Sequence, residues 1–223
     1  MAIKHNHYLA ADVRTLDHLA IEEKGIPGFT LMQRAGEATF DALVSSWPDC
    51  KNLLCFCGNG NNGGDGYVIA ALARKRGLDA TVIAIGNPEN LRGDARMAFN
   101  LAIESKVTVI PFQNLSLENI PANTVIVDAM LGTGLTGSVR GNYLEAIESV
   151  NSLDKPVVAV DIPSGLCSDT GNILGAAVKA ELTVTFIGRK VGQVLNSGPM
   201  MCGRLIFDDL GVPPDIYEKV PPQ

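Results

Sequence analysis

No stretch of the chain approaches the roughly 18–20 consecutive apolar residues that carry a helix across a bilayer, so a membrane-spanning protein is not expected. The first residues, with Lys4, His5 and His7, lack the apolar centre of a signal peptide. Positive charge is also scarce. Eighteen Lys and Arg against 24 Asp and Glu leave a net charge of −6, the wrong sign for a protein that grips nucleic-acid phosphates regardless of sequence. The short basic run Arg74-Lys75-Arg76 reads as the solvated end of a helix. Histidine is confined to His5, His7 and His18 near the N-terminus, so zinc sites and histidine-based triads lose their usual residues. The five cysteines, Cys50, Cys55, Cys57, Cys167 and Cys202, are odd in number and follow no disulfide-framework spacing. Reduced thiols and a cytoplasmic setting are expected. Cys55 and Cys57 share one face of a strand-like run and read as small core residues, not metal ligands.

What remains is an ordinary globular composition, 46% hydrophobic and 19% charged over 223 residues, a length that suits one large domain. The N-terminal stretch reads as helical, with Leu16, Leu19, Ala20 and Glu23 at helical spacings and Gly25-Ile26-Pro27-Gly28 ending it. A second helix is expected from Thr30, with Gln33 completing a capping box, Leu31, Ala35, Ala38 and Leu43 on its buried face, and Pro48 beyond its end. From there short β-rich runs alternate with helical ones. The strands are expected at 53–57, 80–85, 106–110, 124–127, 157–160 and 182–187, with a late edge strand at 204–207. The helices between them are expected at 65–76, 92–104 and 142–150. This alternation predicts a Rossmann-like three-layer α/β/α sandwich with a mostly parallel sheet. Residues 1–223 read as one domain without internal repeats, and the Pro-rich end at 212–223 reads as a linker or a C-terminal tail.

Ligands of open parallel sheets bind outside the carboxyl ends of the strands, and three of the expected strands end in polar, glycine-rich sequence. The first such loop is Gly58-Asn59-Gly60-Asn61-Asn62-Gly63-Gly64-Asp65-Gly66. Its glycines permit positive φ and close approach to a ligand, and the helix after it offers free N–H groups to an anion. It also reads as a tight turn in which Asp65 caps the helix. Gly58, Gly60 and Gly63 satisfy G-x-G-x-x-G, but the next strand runs into Gly86-Asn87-Pro88 without the acidic residue that grips a ribose. The second loop, Asp128-Ala129-Met130-Leu131-Gly132-Thr133-Gly134-Leu135-Thr136-Gly137-Ser138 with Arg140 beyond it, suits phosphates. Asp128 reads equally as a carboxylate bonded to its own loop or as an oxygen ligand for a hard cation. The third is Asp161-Ile162-Pro163-Ser164-Gly165. Asp161 reads as an acid–base residue at a strand mouth, or as a structural carboxylate holding the Pro163 turn.

Taken in order, Leu31-Met32-Gln33-Arg34-Ala35-Gly36, the Gly58–Gly66 loop, Val127-Asp128-Ala129-Met130-Leu131-Gly132-Thr133-Gly134, Val160-Asp161-Ile162-Pro163-Ser164-Gly165 and Thr185-Phe186-Ile187-Gly188-Arg189-Lys190 resemble the NAD(P)H-hydrate epimerase family. The resemblance spans residues 10 to 211. It implies an isomerase that interconverts the R and S forms of hydrated NADH and NADPH (NADHX and NADPHX) at C6 of the nicotinamide ring, a metabolite repair that allows a separate or fused dehydratase to restore the coenzyme. No counterpart of the fused kinase-like dehydratase domain occurs in this sequence. The resemblance further implies one potassium ion per subunit held by Asn62, Asp128 and Ser164, and a substrate lined by Asn61, Asn62, Gly63, Gly64, Asp65, Gly132, Thr133, Gly134, Leu135, Thr136, Gly137, Ser138 and Asp161. Asp161 is the implied catalytic residue, and a homodimer is the implied assembly. Lys190 matches a family position without an evident role. The competing readings are a non-catalytic nucleotide-binding scaffold and an NAD-dependent dehydrogenase. The intact Asn, Asp and Ser positions stand against the first, and the missing acidic residue against the second.

Overall fold

The computed structural model describes residues 6–116, 118 and 120–223; Lys4 and His5 lie outside them. A two-residue strand, β1 (His7–Tyr8), leads into helix α1 (Ala10–His18), which continues as a π-helical turn over Leu19–Glu23. Next come α2 (Gly28–Ser46), β2 (Asn52–Cys57), α3 (Asn61–Lys75), β3 (Asp79–Ala84), α4 (Gly93–Glu104), β4 (Thr108–Pro111) and β5 (Thr124–Ala129). The second half carries α5 (Asn142–Ser152), β6 (Val157–Val160), β7 (Leu182–Phe186), β8 (Arg189–Lys190), α6 (Gly198–Cys202) and β9 (Arg204–Asp208).

Seven strands form one sheet in the order β4-β3-β2-β5-β6-β7-β9, with every pairing parallel. The chain winds outward from β2 through β3 to β4, then returns to lay β5 on the other side of β2. The crevice at which winding reverses therefore opens between the ends of β2 and β5, where two of the three polar loops emerge. Alternation along the strands sorts the core into two layers. Leu53, Cys55, Cys57, Val125 and Val127 pack with Leu31, Ala35, Val68, Ile69, Ala95 and Ala98 of α2, α3 and α4. Leu54, Phe56 and Ile126 pack with Ala146, Ile147 and Val150 of α5 on the other face. Helices thus cover both faces of a parallel sheet. Cys55 and Cys57 are core residues, as expected from their spacing.

Several local expectations are corrected. Helix α2 begins at Gly28, so Thr30 lies inside its first turn and the Thr30–Gln33 capping box does not form. The β4 strand is displaced toward 108–111 because Lys106, at φ +59, closes the turn after α4 by donating its N–H to the Ile103 carbonyl at 2.9 Å. Helix α3 starts at Asn61 instead of Asp65, so the second half of the glycine-rich loop is helix and Asp65 caps nothing. Among the described residues, none of Gly58, Gly60, Gly63, Gly64 and Gly66 has positive φ. Gly58, Gly63, Gly64 and Gly66 serve packing instead: a Cβ on Gly66 would sit 2.6 Å from both the Ala129 Cβ and the Cys57 Sγ. Side-chain-free contact lets the first turns of α3 lie directly on β2 and β5.

The N-terminal segment is drawn onto the sheet's carboxyl end by β1, which pairs with β8 so that Tyr8 stands opposite Lys190. The Ala10 N–H, an unpaired donor of the first helical turn, is taken by Asp169 Oδ1 at 2.6 Å. Residues 212–223 pack back on this segment. Val212, Ile216 and Val220 are buried, and the Gln223 N–H donates to the His7 carbonyl at 2.9 Å. Lys24–Asp215 and Lys219–Glu23 ion pairs lie along the same seam.

Candidate active site

A cavity of about 690 Å³ opens at the switch point, within the roughly 300–1,000 Å³ range of small-molecule and cofactor sites. Its wall includes Gly60, Asn61, Asn62 and Asp65 from the first loop and α3, Met130 to Thr136 from the second loop, and Asp161 from the third. The sheet topology has therefore brought together three segments separated by up to a hundred positions in sequence. Of the expected lining residues, Asn61, Asn62, Asp65, Gly132, Thr133, Gly134, Leu135, Thr136 and Asp161 are on the wall. Gly63 and Gly64 are buried within α3 behind it, while Gly137 and Ser138 continue past it as exposed loop. Arg140 is exposed and also outside the wall.

Asp128, at the end of β5, is fully buried and joins the second loop to the third. Its Oδ1 accepts from the Ser164 hydroxyl at 2.5 Å and from the Met130 N–H at 3.3 Å, and its Oδ2 accepts from the Ser164 N–H at 2.7 Å. The Leu131 N–H in turn donates to Ser164 Oγ at 2.9 Å. Asp128 thus does bond its own loop, one of the two readings its position allowed. No Lys or Arg pairs with it among the described residues. Burial raises its pKa to about 6 against the hydrogen bonds from Ser164 and Met130. On α3, beside Gly132, the buried amide nitrogen of Asn62 finds no hydrogen-bond partner among the described residues. A half-turn of that amide places its oxygen at the same buried position. The Asp128 carboxylate, which lacks a counter-charge among the described residues, the Ser164 hydroxyl, the Leu131 carbonyl and, after such a turn, the Asn62 amide oxygen would make an all-oxygen donor set. Such donors suit a hard cation, not a thiophilic one.

Asp161 is fixed with unusual firmness. Its backbone has φ +66, a left-handed conformation that Asp and Asn tolerate better than most residues. The Asp161 N–H donates to the Val184 carbonyl at 2.7 Å, and its carbonyl accepts from the Gln193 amide at 2.8 Å. Its side-chain Oδ1 accepts from Thr185 Oγ1 and the Phe186 N–H, both at 3.2 Å, and forms an ion pair with Lys190. The Lys190 ammonium is itself buried and donates further to Thr185 Oγ1 at 2.9 Å and the Phe186 carbonyl at 3.2 Å. The conjunction of Asp161, Thr185, Lys190 and Gln193 answers what Lys190 does: it is the counter-charge of Asp161.

Sequence reasoning missed the carboxylates contributed by the helices. Asp17 of α1 and Asp94 of α4 both line the cavity, as does Arg14. Asp94 is the acidic wall residue past the second strand of the sheet, beyond the place where a fingerprint search looks for one. Burial raises the pKa of Asp17 to about 6, with Lys190 opposing and Asp161 reinforcing the shift. Burial, reinforced by Asp161 and Asp17, also pushes Asp65 well above the usual carboxylate range. Nothing in the spacing of a surface-like helical aspartate singles out Asp17. Only the return of α1 over the sheet end places it here.

A parallel doubly wound sheet with a polar, carboxylate-rich crevice at its switch point defines a Rossmann-like α/β sandwich built to hold a small ligand. The family model described as YjeF-related protein N-terminus matches residues 28–192, and the chain belongs to that family. It is 37% identical over 207 residues to the NAD(P)H-hydrate epimerase of Limosilactobacillus fermentum, a match covering 91% of this chain and 96% of that protein. It is 43% identical over 213 residues to the bifunctional NAD(P)H-hydrate repair enzyme Nnr of Coxiella burnetii, covering 96% of this chain and 43% of that protein. The chain therefore spans less than half of that bifunctional relative. Its fold is shared with the crystal structure of yeast ynu0, YNL200c, at a TM-score of 0.83 and 21% identity, covering 96% of this chain and 93% of that one.

Proposed function

We propose that this chain is an isomerase that interconverts the R and S forms of NADHX and NADPHX at C6 of the hydrated nicotinamide ring. The observation that carries the reading is the near end-to-end match to a relative named as an NAD(P)H-hydrate epimerase, together with a cavity of dinucleotide-compatible size walled by all three polar loops. In this reading the chain performs metabolite repair ahead of a dehydratase, either separate or fused as in the bifunctional relatives. It works in the cytoplasm, as a homodimer.

The substrate carries a hydroxyl on C6, the carbon beside the ring nitrogen, and so contains a carbinolamine. The nitrogen lone pair forms the N1–C6 double bond as the C6–O bond breaks, and the oxygen leaves as water after taking a proton. Water then adds to the other face of the iminium and gives up a proton. Asp161, held at the cavity wall by the Phe186 N–H and Lys190, is the acid–base residue in this reading. Its carboxylate also stabilises the cationic ring electrostatically. The free N–H groups at the start of α3 and the Gly132–Thr136 loop orient the pyrophosphate and ribose. Asn62, Asp128 and Ser164 would hold a potassium ion, which when bound supplies positive charge that offsets the buried Asp128 and favours the anionic half of the substrate.

The test is incubation of the purified chain with R-NADHX in potassium buffer, without ATP or ADP, with the S form followed by chromatography. Conversion well above the spontaneous rate supports the reading. A folded protein that binds the ligand without accelerating conversion rejects it in favour of a binding scaffold.

A further inference from the structure

Four carboxyls line one cavity with two cations: Asp17 from α1, Asp65 from α3, Asp94 from α4 and Asp161 after β6, with Lys190 and Arg14. The Lys190 ammonium is committed to Asp161, Thr185 and the Phe186 carbonyl. Asp161 in turn receives that ammonium, the Thr185 hydroxyl and the Phe186 N–H on one oxygen. A carboxylate so supplied with donors is engaged as an acceptor. It is equipped to accept a proton from an incoming water and poorly equipped to offer one to a departing hydroxyl. Asp17 has the opposite surroundings. Among the described residues its carboxyl accepts no hydrogen bond, and it is half-buried at the cavity wall.

We propose that Asp17 is a second acid–base residue of the site, donating the proton to the departing C6 hydroxyl while Asp161 takes the proton of the water that returns. This assignment rests on the epimerase reading. The step balances: the Asp17 proton leaves with the C6 oxygen as water, the nitrogen lone pair becomes the N1–C6 double bond, and water addition returns that pair to nitrogen while its proton passes to Asp161. The net result is one proton moved from Asp17 to Asp161, restored through solvent, and the roles exchange in the reverse direction.

The groups around Asp17 favour this division. Asp161 and Lys190 face it from the sheet end, Asp65 from α3 and Tyr217 from the C-terminal turn, while Arg14 lies one turn earlier on its own helix. From α2 the cavity receives Leu31, Met32 and Ala35, which are apolar and desolvate the cluster. Burial and the Asp161 charge together outweigh Lys190, so Asp17 keeps its proton to about pH 6, close to the range in which a general acid is effective.

The test is the pH dependence of kcat/KM for R-to-S conversion from roughly pH 5 to 9, with the full chain in potassium buffer. Wild type is compared with Asp17→Asn, Asp17→Glu and Asp65→Asn. The expected wild-type profile falls on its alkaline side as Asp17 ionises. Asp17→Asn loses about 10²–10⁴-fold in kcat with little change in KM and no alkaline limb, and Asp17→Glu restores the limb. Wild-type rates and an unchanged limb in Asp17→Asn, or loss of the limb in Asp65→Asn alone, would overturn the assignment while leaving the epimerase reading intact. No acceleration by wild type would instead remove the reading itself. Should Asp17→Asn fail to fold, a ¹³C titration of the aspartate carboxyl carbons in wild type decides. A raised Asp17 midpoint is expected, and titration in the ordinary carboxylate range overturns the proposal.

Discussion

Asp161 and Asp17 carry similar side chains into one cavity and are prepared differently by their neighbours. The first is locked by Lys190, Thr185 and the Phe186 N–H; the second accepts no hydrogen bond among the described residues and is desolvated. The difference has a thermodynamic consequence independent of catalysis. The Asp17 pKa lies above its unfolded value, so its contribution to stability is fully present below about pH 4 and is lost as pH rises through about 6. Replacing it by Asn removes that loss. Asp17→Asn is expected to match wild type in stability near pH 4 and to exceed it at pH 8, by on the order of 2 kcal/mol, as measured by urea unfolding at the two pH values. Equal stability at both would show that Asp17 is not desolvated. Asn62 offers a second residue-scale test. Its orphaned buried amide is explained if a cation completes it. The Tm should then rise with potassium chloride beyond its rise with choline chloride, and Asn62→Ala should lose that difference.

At the scale of elements, what the sequence conveyed was periodicity, and what it concealed was contact. Strands β2, β5, β6 and β7 were legible because runs such as Val157-Val158-Ala159-Val160 are short, β-branched and bounded by turns. The two-residue strands β1 and β8 carry no periodic signal at all, and yet their pairing brings α1 to the cavity. The start of α3 was misplaced for a related reason. Gly58 to Gly66 looks like a loop by composition, but Gly63, Gly64 and Gly66 are helical residues whose missing side chains let the helix seat on the sheet. Gly66→Ala tests this directly. Helix propensity alone favours Ala by up to about 1 kcal/mol, whereas overpacking against Ala129 and Cys57 costs about 1–3 kcal/mol. The structure thus predicts net destabilisation in denaturant unfolding, and stabilisation would mean that α3 stands off the sheet.

Across the whole molecule, the doubly wound sheet explains why three distant loops make one site, and this much was readable from the order of the motifs. Asp128 and Asp161 stood out because polar residues at strand ends contrast with the apolar runs before them, whereas the grouping of Asn62 and Ser164 with Asp128 came only from the family resemblance. Asp17, Asp94 and Arg14 did not stand out, because a helix presents charged residues to solvent by default; the tertiary return of the N-terminal segment brings Asp17 and Arg14 to the cavity, and the start of α4 brings Asp94. The Pro-rich end misled in the same manner. Its prolines suggest departure from the fold, but Val212, Ile216 and Val220 bury themselves against it.

The most direct test of the central claim is the initial rate of R-to-S conversion of NADHX by wild type and by Asp161→Asn, at equal folded concentration. Asn is the informative replacement because it accepts the φ of +66 at this position while removing the carboxylate. The account predicts strong acceleration by wild type and a loss of at least about 10²-fold in the variant. Conversion at the wild-type rate by Asp161→Asn would contradict it.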